Sequence, residues 1–410
     1  MHRDKVSVTF VDDRSLWVKC KTPPDIIADR ERTIQTLQKW GAEYIDKTQD
    51  RARYEALKIS KTIDVVLVAT FNDSHCCVAS TWLGHCELIF IEKPLDEDAE
   101  NARRLALHLG EGQPQVFAFD HYRARFFPSP KDEERLEKLS DPDGWKEMTF
   151  YFLEDGSGGK HNGPIENDGR EWTLRRGVIR DLMPHIFCVI AYFGSPGTVR
   201  ITEVSSAQYT GVGYEPGARS KIDGETFARI KFTFEDIDRR LIHATSYVGK
   251  GIRGSRELGM EGEVKLLDIV AHNGNHARLD FRNSVSKATL TDLKGLGGSF
   301  DLFPEPYFNF IDSIYHDTFS RGDHPLVLGF ETGKRILEIL SDIKCAIPEK
   351  FELPTYPLGG RDEKAPWFED MLDRNVVQPQ FSPHHPPIVE PYPANDRRTG
   401  KDRRAVLRIA

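Results

Sequence analysis

Residues 64–69 form a nearly unbroken apolar run, and residues 87–91 form a second. Runs of this length without alternation predict strands buried on both faces, as in a parallel sheet covered by helices. Helical periodicity fills the intervals. A polar turn at 70–74 leads into a helix over 75–83, and Pro94 ends the second strand. Residues 96–109 then predict a helix whose acidic first turn suits its dipole, and residues 115–119 a further strand. Upstream, the β-branched run 5–11 predicts a strand, and 15–21 allows another. After Thr22-Pro23-Pro24-Asp25 a helical pattern runs to about Trp40, where Gly41 stops it. Residues 49–59 predict one more helix. Strands alternating with helices predict an α/β domain with a doubly wound parallel sheet over residues 1–124.

Beyond that point the pattern changes. Helical stretches at 131–139 and 177–193 sit among longer alternating runs at 147–154, 199–209, 226–234, 239–248, 263–271 and 278–282. Alternation at period two, with short turns between several runs, predicts a large, mainly antiparallel sheet. Helices at 308–319 and 330–343 close this α+β unit, which spans 125–350. Residues 351–410 form a tail, rich in proline and then basic from Arg397 through Arg404. It reads as a surface wrap or a disordered, solvated segment.

Composition narrows the function. The 410 residues are 39% hydrophobic and 29% charged, the balance of a globular protein with room for two cores. A net charge of −8 repels extended phosphate backbones, so no nucleic-acid partner is expected. No apolar run is long enough to span a bilayer, and Met1-His2-Arg3-Asp4 opens no apolar signal. The expectation is a cytoplasmic protein without a membrane partner. Cysteines at 20, 76, 77, 86, 188 and 345 lack disulfide-scaffold spacing and suit a reducing compartment. His75, Cys76, Cys77, His85 and Cys86 are potential metal ligands. Adjacent cysteines on a helix point in different directions, however, so a helix start without metal is the expectation.

Ligands of a doubly wound sheet sit beyond the carboxyl ends of its strands. Three polar groups fall there: Thr70-Phe71-Asn72-Asp73, Glu92-Lys93-Pro94 and Asp120-His121-Tyr122. Any strand must end in a polar turn, but three on one edge in successive units mark a site. Farther on, Asp181 and His185 are four apart, so on a helix they share a face. A carboxylate-held histidine suits proton abstraction from a hydroxyl near neutral pH. The plainer reading, which spacing alone favours, has Asp181 capping the helix and His185 packed in the core.

Thr70 through His75, then Glu92-Lys93-Pro94, then Asp181 and His185 together resemble the Gfo/Idh/MocA family of sugar dehydrogenases. Trp172 and the segment 307–314 followed by the 330–343 helix add to the likeness, which extends over residues 40–345. The resemblance implies a Rossmann domain binding NAD or NADP and a second domain holding a sugar. It implies that His185 takes the hydroxyl proton while hydride passes to the nicotinamide. Lys93 would position the hydroxyl and stabilise negative charge, and Asp181 would orient sugar or base. The cofactor would meet Asp12, Thr70, Asn72, His75, Glu92, Lys93 and Pro94. Residues 119–122 and 178–181 are also similar to glucose-6-phosphate dehydrogenase. That likeness implies a sugar phosphate held by His121 and by Arg125, which stands where that enzyme has lysine. It also makes Asp120 a candidate partner for His185. The spacing of the histidine segment follows the Gfo/Idh/MocA pattern. The implied substrate set is Lys93, Asp120, His121, Arg125, Trp172, Asp181 and His185. The family often assembles as dimers or tetramers through the open face of the second-domain sheet.

One part of the pattern is missing. A Rossmann domain opens with a strand, G-x-G-x-x-G and a helix, yet no glycine precedes Gly41. Gly249, Gly251 and Gly254 fit the spacing but read as a loop between strands of the second unit. Two accounts remain open. Residues 5–11 are the domain's second strand, with Asp12 or Asp13 at the ribose 2′-hydroxyl and Arg14 able to face an extra phosphate. Alternatively they are its first strand, with Asp12-Asp13-Arg14 replacing the glycine turn and repelling a pyrophosphate. Under the first account the central slot of the order 3-2-1-4-5-6 is unfilled, which leaves backbone groups to be paired otherwise. The expected function is an NAD(P)-dependent oxidoreductase acting on a hydroxyl of a sugar or sugar phosphate. The alternative is a non-catalytic sugar-binding or regulatory protein of the same fold. A third class uses bound NAD without net redox, for example in glycosidic cleavage.

Overall fold

The computed structural model describes residues 9–12, 14–15, 24–39, 41–60, 63–70, 72–110, 114–120, 138, 140, 143–154, 177–211, 225, 227–250, 254–255, 260–261, 264–280, 287–290, 298–301, 327–347, 355–358 and 376–377. The N-terminal part alternates strand and helix: β1 (Thr9–Asp12), α1 (Pro24–Lys39), β2 (Glu43–Asp46), α2 (Arg51–Ile59), β3 (Ile63–Val68), α3 (His75–Ser80), β4 (Cys86–Glu92), α4 (Ala99–Ala106) and β5 (Gln115–Phe119). Its strands form two separate parallel groups, β1 with β2, and β3 with β4 and β5. β4 is paired on both sides and buries Ile89, Phe90 and Ile91 completely. Among the described residues β3 is paired on one side only, and Leu67 is 45% exposed.

The arrangement matches the first account of the N-terminus. Were β1 the first strand of a 3-2-1-4-5-6 sheet, it would pair with two neighbours. It pairs with β2 alone among the described residues. Among the described residues, β2-β1 and β3-β4-β5 correspond to the standard order with no strand at its central position. The two groups still share one apolar core, in which Ile45 and Tyr54 join Val68 and Cys76. The Tyr54 and Trp82 rings meet edge to face at 5.8 Å.

In the N-terminal part, two elements correct the sequence reading. β2 was not expected, because four residues after a helix stop are too short to show periodicity. The allowed strand at 15–21 begins instead with Arg14 and Ser15 in helical conformation, and residues 16–23 lie outside the described set.

The second unit holds β6 (Trp145–Glu154), α5 (Val178–Phe193), β7 (Arg200–Gly211), β8 (Phe227–Glu235), β9 (Leu241–Lys250), β10 (Gly254–Ser255), β11 (Met260–Glu261), β12 (Val264–Ala271), β13 (His276–Asp280), β14 (Lys287–Leu290) and β15 (Gly298–Asp301). The large sheet runs β13-β12-β6-β9-β8-β7 and is antiparallel except between β6 and β9. Helix α5 covers one face, packing its apolar side on β8 and β9 in the shared core. The chain then returns. β16 (Val327–Gly329) adds antiparallel to β5, and α6 (Phe330–Ala346) crosses beside it. Gly333 permits that crossing, since a Cβ there would lie 2.9 Å from the Ala118 methyl. Finally β17 (Thr355–Leu358) and β18 (Val376–Val377) pair with β7, so part of the tail is strand. The helix expected at 308–319, and that at 131–139 apart from Lys138, lie outside the described residues. Among the described residues no helix is long and apolar enough to cross a membrane.

Candidate active site

The carboxyl ends of β4 and β5 carry the first pair of charged side chains. The backbone N–H of Lys93 donates to the Phe119 carbonyl at 3.0 Å, so pairing with β5 continues one residue past β4. The Lys93–Pro94 peptide is cis. The ammonium of Lys93 donates to both the carboxylate and the backbone carbonyl of Asp181, each at 3.1 Å. That carbonyl lies beside a break in the helical ladder: Pro184 offers no N–H to the Arg180 carbonyl one turn before it. Burial alone would lower the Lys93 pKa. Asp181, Glu92 and Asp120 outweigh it and push the value up to about 12, so the ammonium stays charged.

The second pair crosses the same boundary. Asp120 follows β5 directly, and its carboxylate lies 2.5 Å from Nδ1 of His185, which is 3% exposed. Phe152 of β6 stacks on the imidazole with ring centroids 6.3 Å apart. Burial lowers the His185 pKa, the Lys93 charge lowers it further, and Asp120 opposes both; the net shift is downward. A carboxylate at Nδ1 selects the tautomer with the proton there, which leaves the lone pair on Nε2. Asp181 and His185 therefore each take their partner from the first sheet. The plainer sequence reading, with Asp181 as a helix cap, does not describe its contacts.

The remaining expected residues are dispersed. Thr70 is exposed and shares a 2.9 Å hydrogen bond with Ser74. Asn72 and Pro94 line a shallow open cleft together with Gly177, Arg180, Asp181 and Leu340. Glu92 ends β4 half-buried. Asp12 ends β1, and its carbonyl accepts from the Lys47 N–H at 2.8 Å. Arg14 is engaged by Glu31 at 2.7 Å and lies over the Tyr44 ring. His75 is fully buried, with its two ring nitrogens 2.8 Å from the Pro94 carbonyl and 3.1 Å from that of Thr70. It ties the β3 turn to the β4 turn from beneath. Asp13, His121, Arg125 and Trp172 lie outside the described residues. Cys76 is buried and Cys77 exposed, and no group of three or more metal-ligating side chains occurs among the described residues.

Asp96 escaped the sequence reading. It is fully buried, and its carboxylate accepts from the N–H groups of Cys76, Glu97 and Asp98 and from the Asn101 amide at 2.8–3.0 Å. With His75 it fixes the segment that follows Lys93. An acidic residue two positions past the proline and just before a helix was its one signal.

Burial drives His75 and His185 below the ordinary histidine value of 6.5. The unfolded chain therefore takes up protons first as pH falls. Stability is complete above about pH 6.5 and is lost as pH drops from there through the folded values. Each histidine contributes at most about 1.4 kcal/mol per pH unit in that window. The thermal midpoint should fall on acidification below 6.5 and show no such fall between 7 and 8. A midpoint that is flat across the acid range would contradict this.

No protein-family model and no curated protein matches this chain. Solved structures do share its fold. Glucose-6-phosphate 1-dehydrogenase from Mycobacterium avium aligns with a TM-score of 0.57 and 16% identity over 93% of each chain. Levoglucosan dehydrogenase, solved in complex with NADH, aligns at 0.55 and 12% identity over 92% of this chain and 91% of that one. A probable dehydrogenase from Thermotoga maritima aligns at 0.54 and 16% identity, covering 83% and 90%. The neighbours are of the two kinds that the sequence resembles, Gfo/Idh/MocA oxidoreductases and a glucose-6-phosphate dehydrogenase. At these identities the likeness establishes the fold, a parallel-sheet domain followed by a large mixed sheet.

Proposed function

We propose that this protein is an NAD(P)-dependent oxidoreductase that acts on a hydroxyl of a sugar or sugar phosphate. The observation that carries the reading is the pair of crossed contacts, Lys93 on Asp181 and His185 on Asp120, at the ligand edge of the parallel sheet. A charged donor and a neutral, carboxylate-held imidazole on one helix and sheet edge are what hydroxyl oxidation requires. His185 accepts the hydroxyl proton at Nε2, and Asp120 holds Nδ1–H and stabilises the resulting imidazolium. Lys93 donates to the substrate oxygen as negative charge develops there, and Asp181 keeps the ammonium aimed. Bound nicotinamide would supply the hydride acceptor.

We assign the nicotinamide end of a dinucleotide to the strand ends around this cleft, where Asn72 and Pro94 adjoin Asp181, with Thr70 and Glu92 at the neighbouring strand ends. At the other end Asp12 suits ribose hydroxyls. No glycine turn for the pyrophosphate occurs at that edge among the described residues. His75 shapes the cofactor edge from below rather than through a polar contact. We assign a sugar phosphate to His121 and Arg125, packing on the sugar to Trp172, and dimer or tetramer assembly to the open face of the large sheet. Free cysteines support a reducing, cytoplasmic setting.

The test is NADH and NADPH fluorescence titration, followed by turnover with a panel of sugars and sugar phosphates. Binding and reduction of cofactor are expected, and absence of both overturns the reading. The separation of β1-β2 from β3 favours a second reading, a sugar-binding protein without dinucleotide. It predicts a thermal shift with sugar and none with NAD(P).

A further inference from the structure

We propose that Glu225 is a positioning residue for His185, setting helix α5 at the height where Asp181 meets Lys93 and His185 meets Asp120. The role as a site rests on the function proposed above; the mechanical role does not.

Helix α5 starts inside the protein, with Val178 and Ile179 fully buried. The first N–H groups of a helix have no partners within it. The residue before the helix, Gly177, has no side chain to cap them. Glu225, just ahead of β8, supplies both acceptors. Its backbone carbonyl takes the Val178 N–H at 3.1 Å, and Oε1 takes the Ile179 N–H at 3.0 Å. The side chain is fully buried, and Oε2 lies 3.6 Å from the Lys344 ammonium on α6, an ion pair rather than a hydrogen bond. Gly177 makes the room: a Cβ there would fall 2.1 Å from the Glu225 carboxylate, and its φ is +87°.

These contacts close a circuit. β5 carries Asp120 at its end and is paired with β16, which runs directly into α6. Lys344 on α6 meets Glu225, Glu225 fixes α5, and α5 returns His185 to Asp120. His185 lies six residues from Ile179, about 9 Å along the axis. A helix sliding at its start would move Asp181 and His185 together, and hydrogen bonds of 3.1 and 2.5 Å tolerate only tenths of an ångström.

The test uses the full chain with three variants: Glu225→Gln, which keeps an acceptor for Ile179, Glu225→Ala, which removes it, and Lys344→Met. The readout is the downfield NMR resonance of the His185 imidazole N–H, recorded well below each thermal midpoint. It needs no turnover, so it decides this proposal even if the proposed activity fails. Glu225→Gln should retain the resonance. Glu225→Ala should shift or broaden it, and Lys344→Met should shift it. Where turnover is measured, kcat in Glu225→Ala should fall about tenfold to a hundredfold with KM less affected. A folded Glu225→Ala with an unmoved resonance overturns the proposal. If that variant does not fold, an unmoved resonance in Lys344→Met does the same.

Discussion

Replacing His185 with glutamine should lower kcat by about two to four orders of magnitude while the protein stays folded. Glutamine is the informative choice because Asp120 is buried and 2.5 Å from the imidazole. Alanine would strip that carboxylate of its imidazole partner, and breaking a buried pair costs about 3–5 kcal/mol. Glutamine can still donate one N–H to Asp120 but cannot accept a proton at the position of Nε2. The pH profile adds a second arm. Because the His185 pKa is lowered, the acid limb of kcat/KM should lie below 6.5. The Lys93 charge is one cause of that lowering, so Lys93→Met should move the limb to higher pH as well as slowing turnover. An acid limb that stays in place would remove His185 from the role of base.

Amide hydrogens of β4 should exchange about a thousandfold more slowly than those of β1 and β2, a difference of roughly 4 kcal/mol in opening free energy. β4 is hydrogen-bonded on both sides and centrally buried. β1 and β2 form a parallel pair of four residues each, and two-stranded pairs are marginal by themselves. Phe10 of β1 is 38% exposed, and β3 is the edge strand of its sheet among the described residues. β3 should therefore be intermediate. Exchange measured by NMR or mass spectrometry decides the matter, and β1 protected as strongly as β4 would mean that the central position of the sheet is filled in solution. A rise in β1 protection on adding NADH would tie that position to cofactor binding.

The fold was most legible where burial was most uniform. β3, β4 and β5 announced themselves as apolar runs, and alternation predicted β6, β7, β8, β9, β12 and β13 to within a few residues, but not β17 and β18, which lie in the stretch read as a tail. β2 and β16 were not legible, because strands of four and three residues show no period and their pairing is set elsewhere in the chain. The site was readable as a set of residue types at a sheet edge. Its wiring was legible only in part: spacing joined Asp181 to His185, whereas the fold gives each a partner from the first sheet, and of these only Asp120 was pointed to, by the likeness to glucose-6-phosphate dehydrogenase. The direction of His75 was equally hidden, since a histidine opening a helix can face ligand or core. Glu225 carried no signal at all, because its purpose depends on a glycine 48 positions earlier and a lysine far downstream.

The strand that seals β5 has a consequence for how the protein is made. Phe119 waits for Val327, so the outer edge of β5 stays bare while about two hundred further residues leave the ribosome, some 10–40 s at typical rates. Vectorial synthesis therefore cannot deliver a finished first domain ahead of the second. Through that interval the nascent chain carries an open backbone edge on β5, beside the cluster of Phe90, Phe117 and Phe119 that Val327 completes.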